Sequence, residues 1–140
     1  MPPEQPPLTH AGYRVIARED VSVVPKPWGE EWWLAQDGRY AAKVLVVKKG
    51  HRLSLQYHET KHETQFVESG RLKYTLGEAG RPETHKELIV EAGSVIVLPP
   101  GSVHRLEALE DSRIFEVSTP ETDDIVRVED DYGRQGTSTP

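Results

Sequence analysis

Residues 94–98, Ser-Val-Ile-Val-Leu, form an apolar run that stops at Pro99-Pro100-Gly101 and resumes at residues 103–108. A run that short, rich in β-branched residues and closed by proline and glycine, fits a strand and is too short for a stable helix. The same pattern recurs along the chain. Short apolar pieces at 15–16 and 21–24 suit edge strands, and Pro25-Lys26-Pro27-Trp28-Gly29 reads as a turn. Strands are then expected at 31–35, 40–48, 53–58, 64–68, 71–76, 87–90, 94–98, 103–108 and 114–118. Asp37-Gly38 is a hairpin signal, 77–82 reads as a loop and Ala92-Gly93 as a turn. Only 123–128 allows a turn or two of helix. Many short strands between turn signals predict an all-β sandwich or barrel.

The chain has 140 residues, enough for one domain with a core and too few for two. A proline-rich arm is expected over 1–12, the barrel over 13–134 and a polar tail over 135–140, with arm and tail flexible. The formal net charge of −6 argues against a nucleic-acid binder, which needs a basic footprint. It leaves room for a small anionic ligand in a locally basic pocket. With no cysteine there is no disulfide, thiolate site or cysteine nucleophile, which fits a reducing compartment. The first residues lack the charged and apolar regions of a signal peptide, and no apolar run reaches membrane-spanning length. A cytoplasmic protein without membrane partners is expected.

Chemistry concentrates in residues 50–70, GHRLSLQYHETKHETQFVESG, which hold three of the six histidines. Residues two apart on a strand share a face, so Gln56 and His58 can reach one point. Glu63 opens the next strand after a short polar turn, and pairing of the two strands would bring it beside His58. His104 follows Pro99-Pro100-Gly101, which can redirect a strand toward the same point. Two imidazoles, a carboxylate and an amide oxygen suit one divalent ion. Zinc comes first, with manganese, iron, cobalt or nickel as alternatives. Any one of these histidines taken alone reads as an ordinary surface residue; the joint spacing favours a site.

A competing motif overlaps it. His58-Glu59-Thr60-Lys61-His62 fits H-E-x-x-H, which binds zinc only when a helix puts both histidines on one face. The strand-period alternation on both sides supplies no such helix.

Gly50-x5-Gln56-x-His58-x4-Glu63-x6-Gly70 resembles the first cupin motif, with Gln56 where many cupins carry histidine, and Gly93-x5-Pro99-x-Gly101-x2-His104 matches the second. The resemblance implies a cupin double-stranded β-helix, a jelly-roll barrel. The Gln, His, Glu, His set further resembles the phosphomannose isomerases. Pro27-Trp28-Gly29, residues 52–58, 103–106 and 123–127, and Tyr132-Gly133-Arg134 are similar to the C-terminal isomerase domain of the bifunctional mannose-6-phosphate isomerase/mannose-1-phosphate guanylyltransferases. The similarity runs from about Pro27 to Arg134. It covers the isomerase domain alone, so guanylyl transfer is not implied. The loop Glu59-Thr60-Lys61-His62 departs from the family's run of histidines.

The resemblance implies a metal-dependent aldose–ketose isomerase acting on a small phosphorylated sugar, with a homodimer as the default assembly. Alternatives are a cupin that binds a sugar or sugar nucleotide without turnover, or another metal-cupin enzyme such as a dioxygenase. The proton-transfer base is open among His62, Glu116 and Lys43. Strand parity puts Arg52 and Ser54 on the face of Gln56, as substrate-binding candidates. Lys43, in an apolar run, and Arg127, with Arg134, in the C-terminal segment, join them. Lys43 also reads as an edge-strand lysine, and the two arginines as partners of nearby acids. His10, His51 and His85 read as surface residues, and Trp28, Trp32 and Trp33 as core or interface aromatics.

Overall fold

The computed structural model describes residues 12–121 and 123–137. The expected arm, apart from Gly12, and its His10 lie outside them. A 3-10 turn, Arg18–Asp20, precedes twelve strands. These are β1 (Ser22–Lys26), β2 (Gly29–Gln36), β3 (Ala41–Val47), β4 (Leu55–Tyr57), β5 (Glu63–Ser69) and β6 (Arg71–Glu78), then β7 (Arg81–Glu91), β8 (Val95–Leu98), β9 (Ser102–Ala108), β10 (Ser112–Ser118), β11 (Val126–Glu129) and β12 (Gly136–Thr137). They form two six-stranded antiparallel sheets, ordered β1-β2-β3-β10-β5-β8 and β12-β11-β4-β9-β6-β7. The expected all-β double-sheet barrel is what forms.

One pattern places the site. On β3 the inward residues run Lys43, Leu45, Val47; on β5 Glu63, Gln65, Val67; on β10 Glu116, Ile114, Ser112; on β9 His104, Leu106, Ala108. Each series is polar at one end of the barrel and mostly apolar at the other. The apolar end closes as a core of Trp28, Leu45, Val47, Val67, Leu72, Tyr74, Leu106 and Ile114, among others. Each fully buried leucine or valine there contributes about 1.5–3 kcal/mol. The polar end is left as a cavity. Gly70 makes the tight β5–β6 turn at φ +94°, where a Cβ would lie 2.1 Å from Ser112 Oγ and 2.6 Å from the Asp111 carbonyl oxygen.

Several expected boundaries move. Residues 15–16 form no strand; the segment turns at Arg18–Asp20, and the Arg18 guanidinium sits 4.1 Å from the centre of the Trp32 ring. Pro25 and Lys26 belong to β1, a sheet edge that tolerates proline. The expected loop 77–82 shrinks to Ala79-Gly80 between β6 and β7. Of the stretch 123–128 that allowed a helical turn, residues 126–128 belong instead to β11, paired with β4, and 123–125 are not in a strand. Four alternating residues beside an open strand gain a ladder, whereas a helix that short lacks a nucleus. Gly136 and Thr137, expected in the tail, pair with β11; 138–140 lie outside the described residues. Trp28 and Trp33 are buried, as expected of core aromatics, while Trp32 lies half-buried on the outer face.

Candidate metal centre

Gln56 lies on β4 directly opposite His104 on β9. His58 follows β4, and Glu63 opens β5 after a four-residue link. His58 Nε2 and His104 Nε2 stand 2.9 and 3.2 Å from the same atom, Glu63 Oε1. Gln56 Nε2 is 3.3 Å from His104 Nε2. Two atoms each about 2.0–2.2 Å from a common ion lie about 2.8–3.6 Å apart at angles between right and tetrahedral. The observed spacings match that range.

The hydrogen bonds explain why an ion fits. His58 Nδ1 faces the Asp124 carbonyl oxygen, and His104 Nδ1 faces the Ser102 carbonyl oxygen at 3.0 Å. A carbonyl only accepts, so each Nδ1 carries the proton, and a neutral ring then turns its Nε2 lone pair toward Glu63. Glu63 Oε1 is shielded from solvent and has no hydrogen bond of acceptable geometry. Lone pairs converging on a carboxylate repel unless a ring takes a proton or a cation stands among them. Burial opposes charging His104, yet Glu63 and the Ser102 carbonyl outweigh it and raise its pKa. Burial likewise opposes charge on Glu63, and the two imidazoles hold its pKa well below the carboxylate norm.

Gln56 Oε1 accepts from Ser54 Oγ at 2.6 Å, so the amide nitrogen faces the site as oriented. A half-turn of the amide exchanges the two ends, presenting oxygen to an ion while Nε2 donates to the Ser54 hydroxyl.

The donors line a cavity of about 60 Å3 that opens to solvent. Its charged lining forms two groups. Near the floor, Lys43 Nζ lies 3.3 Å from Glu31 and 3.6 Å from Glu116, and Lys61 Nζ lies 4.0 Å from Glu116. Gln65 Nε2 donates to Glu116 Oε1 at 2.9 Å, and Gln65 Oε1 accepts from the Tyr74 hydroxyl at 2.6 Å. Burial and then Glu63 push the Glu116 carboxyl up, against the pull of Lys43 and Lys61. Burial works against charge on Lys43 as well, but Glu116 and Glu31 raise its pKa, so it stays an ammonium. The second group, Lys26, Arg127 and Arg134, lines the same cavity. Burial first, then Lys43 and these two arginines, lower the Lys26 pKa against the pull of Glu31. These like charges sit close enough to weaken one another and make a basic wall, in which Arg134 is paired with Asp130 at 2.9 Å and Lys26 with Glu31 at 3.8 Å.

Gln56, His58, Glu63 and His104 are thus brought together, with Ser54, Lys43, Glu116, Arg127 and Arg134 around them. Two expected residues are not. Arg52 bridges Glu107 in register, whereas Gln56 faces His104. Four residues on one strand therefore span three on the other, and this bulge reverses the parity that would have pointed Arg52 inward. Arg52 instead binds Asp131 at 2.6 and 2.8 Å on the exterior. His62 is exposed and lies with Arg39 and Tyr40 on an outer groove. No helix joins it to His58, so H-E-x-x-H does not assemble. Of the histidines expected on the surface, His51 is half-buried against the Tyr132 hydroxyl at 3.0 Å, and His85 is half-buried. The sequence reasoning missed Lys61, Gln65, Glu31 and Lys26. Period two counted both ways from Glu63 marks Lys61 and Gln65.

Residues 16–130 match the family described as mannose-6-phosphate isomerase C-terminal. The chain belongs to that family. Among curated relatives, mannose-1-phosphate guanylyltransferase 2 of Escherichia coli O157:H7 is 34% identical over 112 residues, 76% of this chain and 22% of that protein. Alginate biosynthesis protein AlgA of Pseudomonas putida is 38% identical over 122 residues, 84% of this chain and 23% of that protein. The chain spans less than a quarter of the length of these relatives. KdgF from Halomonas sp. superposes with a TM-score of 0.66 at 19% identity, over 79% of this chain and 96% of that chain. Bacillus subtilis oxalate decarboxylase, described with Mn(II) centres, gives 0.64 at 18% identity, over 76% and 29%. These likenesses show the cupin fold. This mannose-6-phosphate isomerase C-terminal domain thus combines a cupin barrel with a His58, Glu63, His104 cluster suited to a metal ion.

Proposed function

We propose that this domain is a metal-dependent aldose–ketose isomerase of the mannose-6-phosphate isomerase type, acting in the cytoplasm on a small phosphorylated sugar. The observation that carries this is a single cavity holding the convergent donor set and, on its wall, Lys26, Arg127 and Arg134. Gln56, His58, Glu63 and His104 would hold one divalent ion, zinc first. Such an ion supplies Lewis-acid polarisation of the C1 and C2 oxygens.

Arg127, with Lys26 and Arg134, would bind the phosphate and so orient the sugar's reacting end. Glu116 would remove the C2 proton of the open-chain aldose. The freed electron pair forms the C1–C2 double bond of an enediol as O1 takes up a proton from solvent, to which the later loss of the O2 proton returns one. O2 then gives up its proton as the C2 carbonyl forms, and C1 receives the proton Glu116 holds. Substrate and product share one composition, so no co-reactant is needed. A carboxyl pushed up by burial is a stronger base than a solvated one. Lys43, held as an ammonium, and His62, on the outside, do not suit that role.

A coupled assay tests this by following mannose 6-phosphate and fructose 6-phosphate interconversion on metal-loaded protein. Glu116→Gln should lower kcat by about 10²–10⁴-fold. Absence of turnover together with absence of any thermal shift from the phosphosugar would sink the proposal. One observation favours a second reading, binding without turnover: Glu116 is already engaged by Lys43, Lys61 and Gln65. Saturable phosphosugar binding with no interconversion would select it.

The expected homodimer belongs to the same proposal. Phe66, Val95, Val97 and Val117, exposed on the outer face of the first sheet, supply apolar surface for it. Sedimentation at micromolar concentration tests it, and a monomer would remove it.

A further inference from the structure

The link between His58 and Glu63 has only four residues, none of them in a strand. Thr119 Oγ1 accepts from the His62 amide at 3.0 Å, and the first three residues are held from more than sixty residues away, by Asp124. Asp124 Oδ1 accepts from the Glu59 amide at 3.0 Å. Its Oδ2 accepts from the Thr60 amide at 2.7 Å, the Lys61 amide at 2.9 Å and the Thr60 hydroxyl at 2.8 Å. Three consecutive amides thus cradle one carboxylate. They outweigh the burial that would raise its pKa and lower it to about 2. The backbone carbonyl of the same residue faces His58 Nδ1 and fixes which nitrogen that ring offers. Asp124 therefore grips the link and one of its ligands at once. Three residues on, Arg127 pairs in register with Gln56, and its side chain lines the basic wall.

We propose that Asp124 is a positioning residue that sets His58 for metal binding, and that the segment it anchors couples anion binding at Arg127 to metal binding at His58. The inference rests on the metal-centre reading above. Coupling free energies are reciprocal, so an anion that holds Arg127 in place favours the seated segment and a bound ion favours the same arrangement. Removal of the carboxylate leaves the carbonyl covalently present but no longer held against the ring.

The test is Co2+ binding to the metal-free full chain, read by calorimetry and by the visible absorption of the bound ion, with and without inorganic phosphate. Asp124→Ala should bind Co2+ about 10–100-fold more weakly and change the absorption band. Asp124→Asn, which keeps the shape and one acceptor oxygen, should fall between it and the wild type. Asp131→Ala, which removes the exterior pair with Arg52, should bind as the wild type does, even where its metal-free melting point falls. Phosphate should tighten Co2+ binding by about fivefold or more in the wild type and by much less in Asp124→Ala. If Asp124→Ala fails to fold, Asp124→Asn and Thr60→Val carry the comparison, each expected to weaken binding while retaining near-ultraviolet dichroism. Wild-type affinity in the folded Asp124 variants would overturn the positioning role, and wild-type indifference to phosphate would overturn the coupling. A wild type that takes up no divalent ion would instead remove the metal-centre reading, and this inference with it.

Discussion

Two clusters of charge share the cavity and differ in kind. In the floor group, Glu31 and Glu116 face Lys43 and Lys61 at 3.3–4.0 Å, each ion beside its opposite. In the donor group, one carboxylate oxygen meets two Nε2 atoms at 2.9 and 3.2 Å, and both rings are turned by backbone carbonyls so that lone pairs converge. The floor group balances its charges without a ligand, although Glu31 Oε1 accepts no hydrogen bond; the donor group needs a proton or a cation. Buried charges that balance one another mark internal structure, and buried donors that do not mark a binding site.

Three substitutions or conditions sharpen that contrast. The largest effect on stability falls on the floor group. Lys43→Met strands parts of Glu31 and Glu116, and should cost about 3 kcal/mol in urea unfolding, at the low end for a broken buried pair because Lys26 and Lys61 remain. Its metal uptake per folded chain should be unchanged; parallel loss of both would merge the two clusters into one.

An intermediate effect comes from pH. In the metal-free chain the His104 pKa is raised, so its stabilising contribution is present below about pH 6.5 and is lost as pH rises through the folded value. The Glu63 pKa is depressed, so its contribution is present above about pH 4.5 and lost at lower pH. Metal binding needs the imidazole neutral and so competes with that proton. The rise in melting temperature on adding Zn2+ should therefore grow from about pH 6 to about pH 8. A constant shift across that range would break the proton–metal competition.

The smallest effect belongs to Ser54→Ala, which removes the hydroxyl on Gln56 and should change stability by about 0.5–1.5 kcal/mol. Equilibrium unfolding with and without metal measures it, and a dependence on bound metal would tie the Gln56 amide to the ion.

The convergence of Gln56, His58, Glu63 and His104 was legible because three of them lie within eight residues and the fourth follows a proline–glycine break, so period two and a turn suffice to bring them together. Lys61 and Gln65 obeyed the same period and were legible in principle. Arg52 was not, because a one-residue bulge between it and Gln56 leaves no mark in composition. Nor was the role of the 123–129 segment: its hydrogen bonds reach back about 65 residues, and local propensity carries no information on such pairing. The two-sheet architecture survived these errors because alternation and turn signals set it, whereas strand ends shifted wherever a neighbouring strand extended the ladder.

The central claim is that Glu63, His58 and His104 hold one divalent ion, with Gln56 beside them. Elemental analysis after dialysis against Zn2+ and removal of excess tests it most directly, on the wild type and on His104→Ala. One zinc per wild-type chain and a substoichiometric residue in folded His104→Ala is the predicted result. Equal metal content in the two, or none in the wild type, would contradict it.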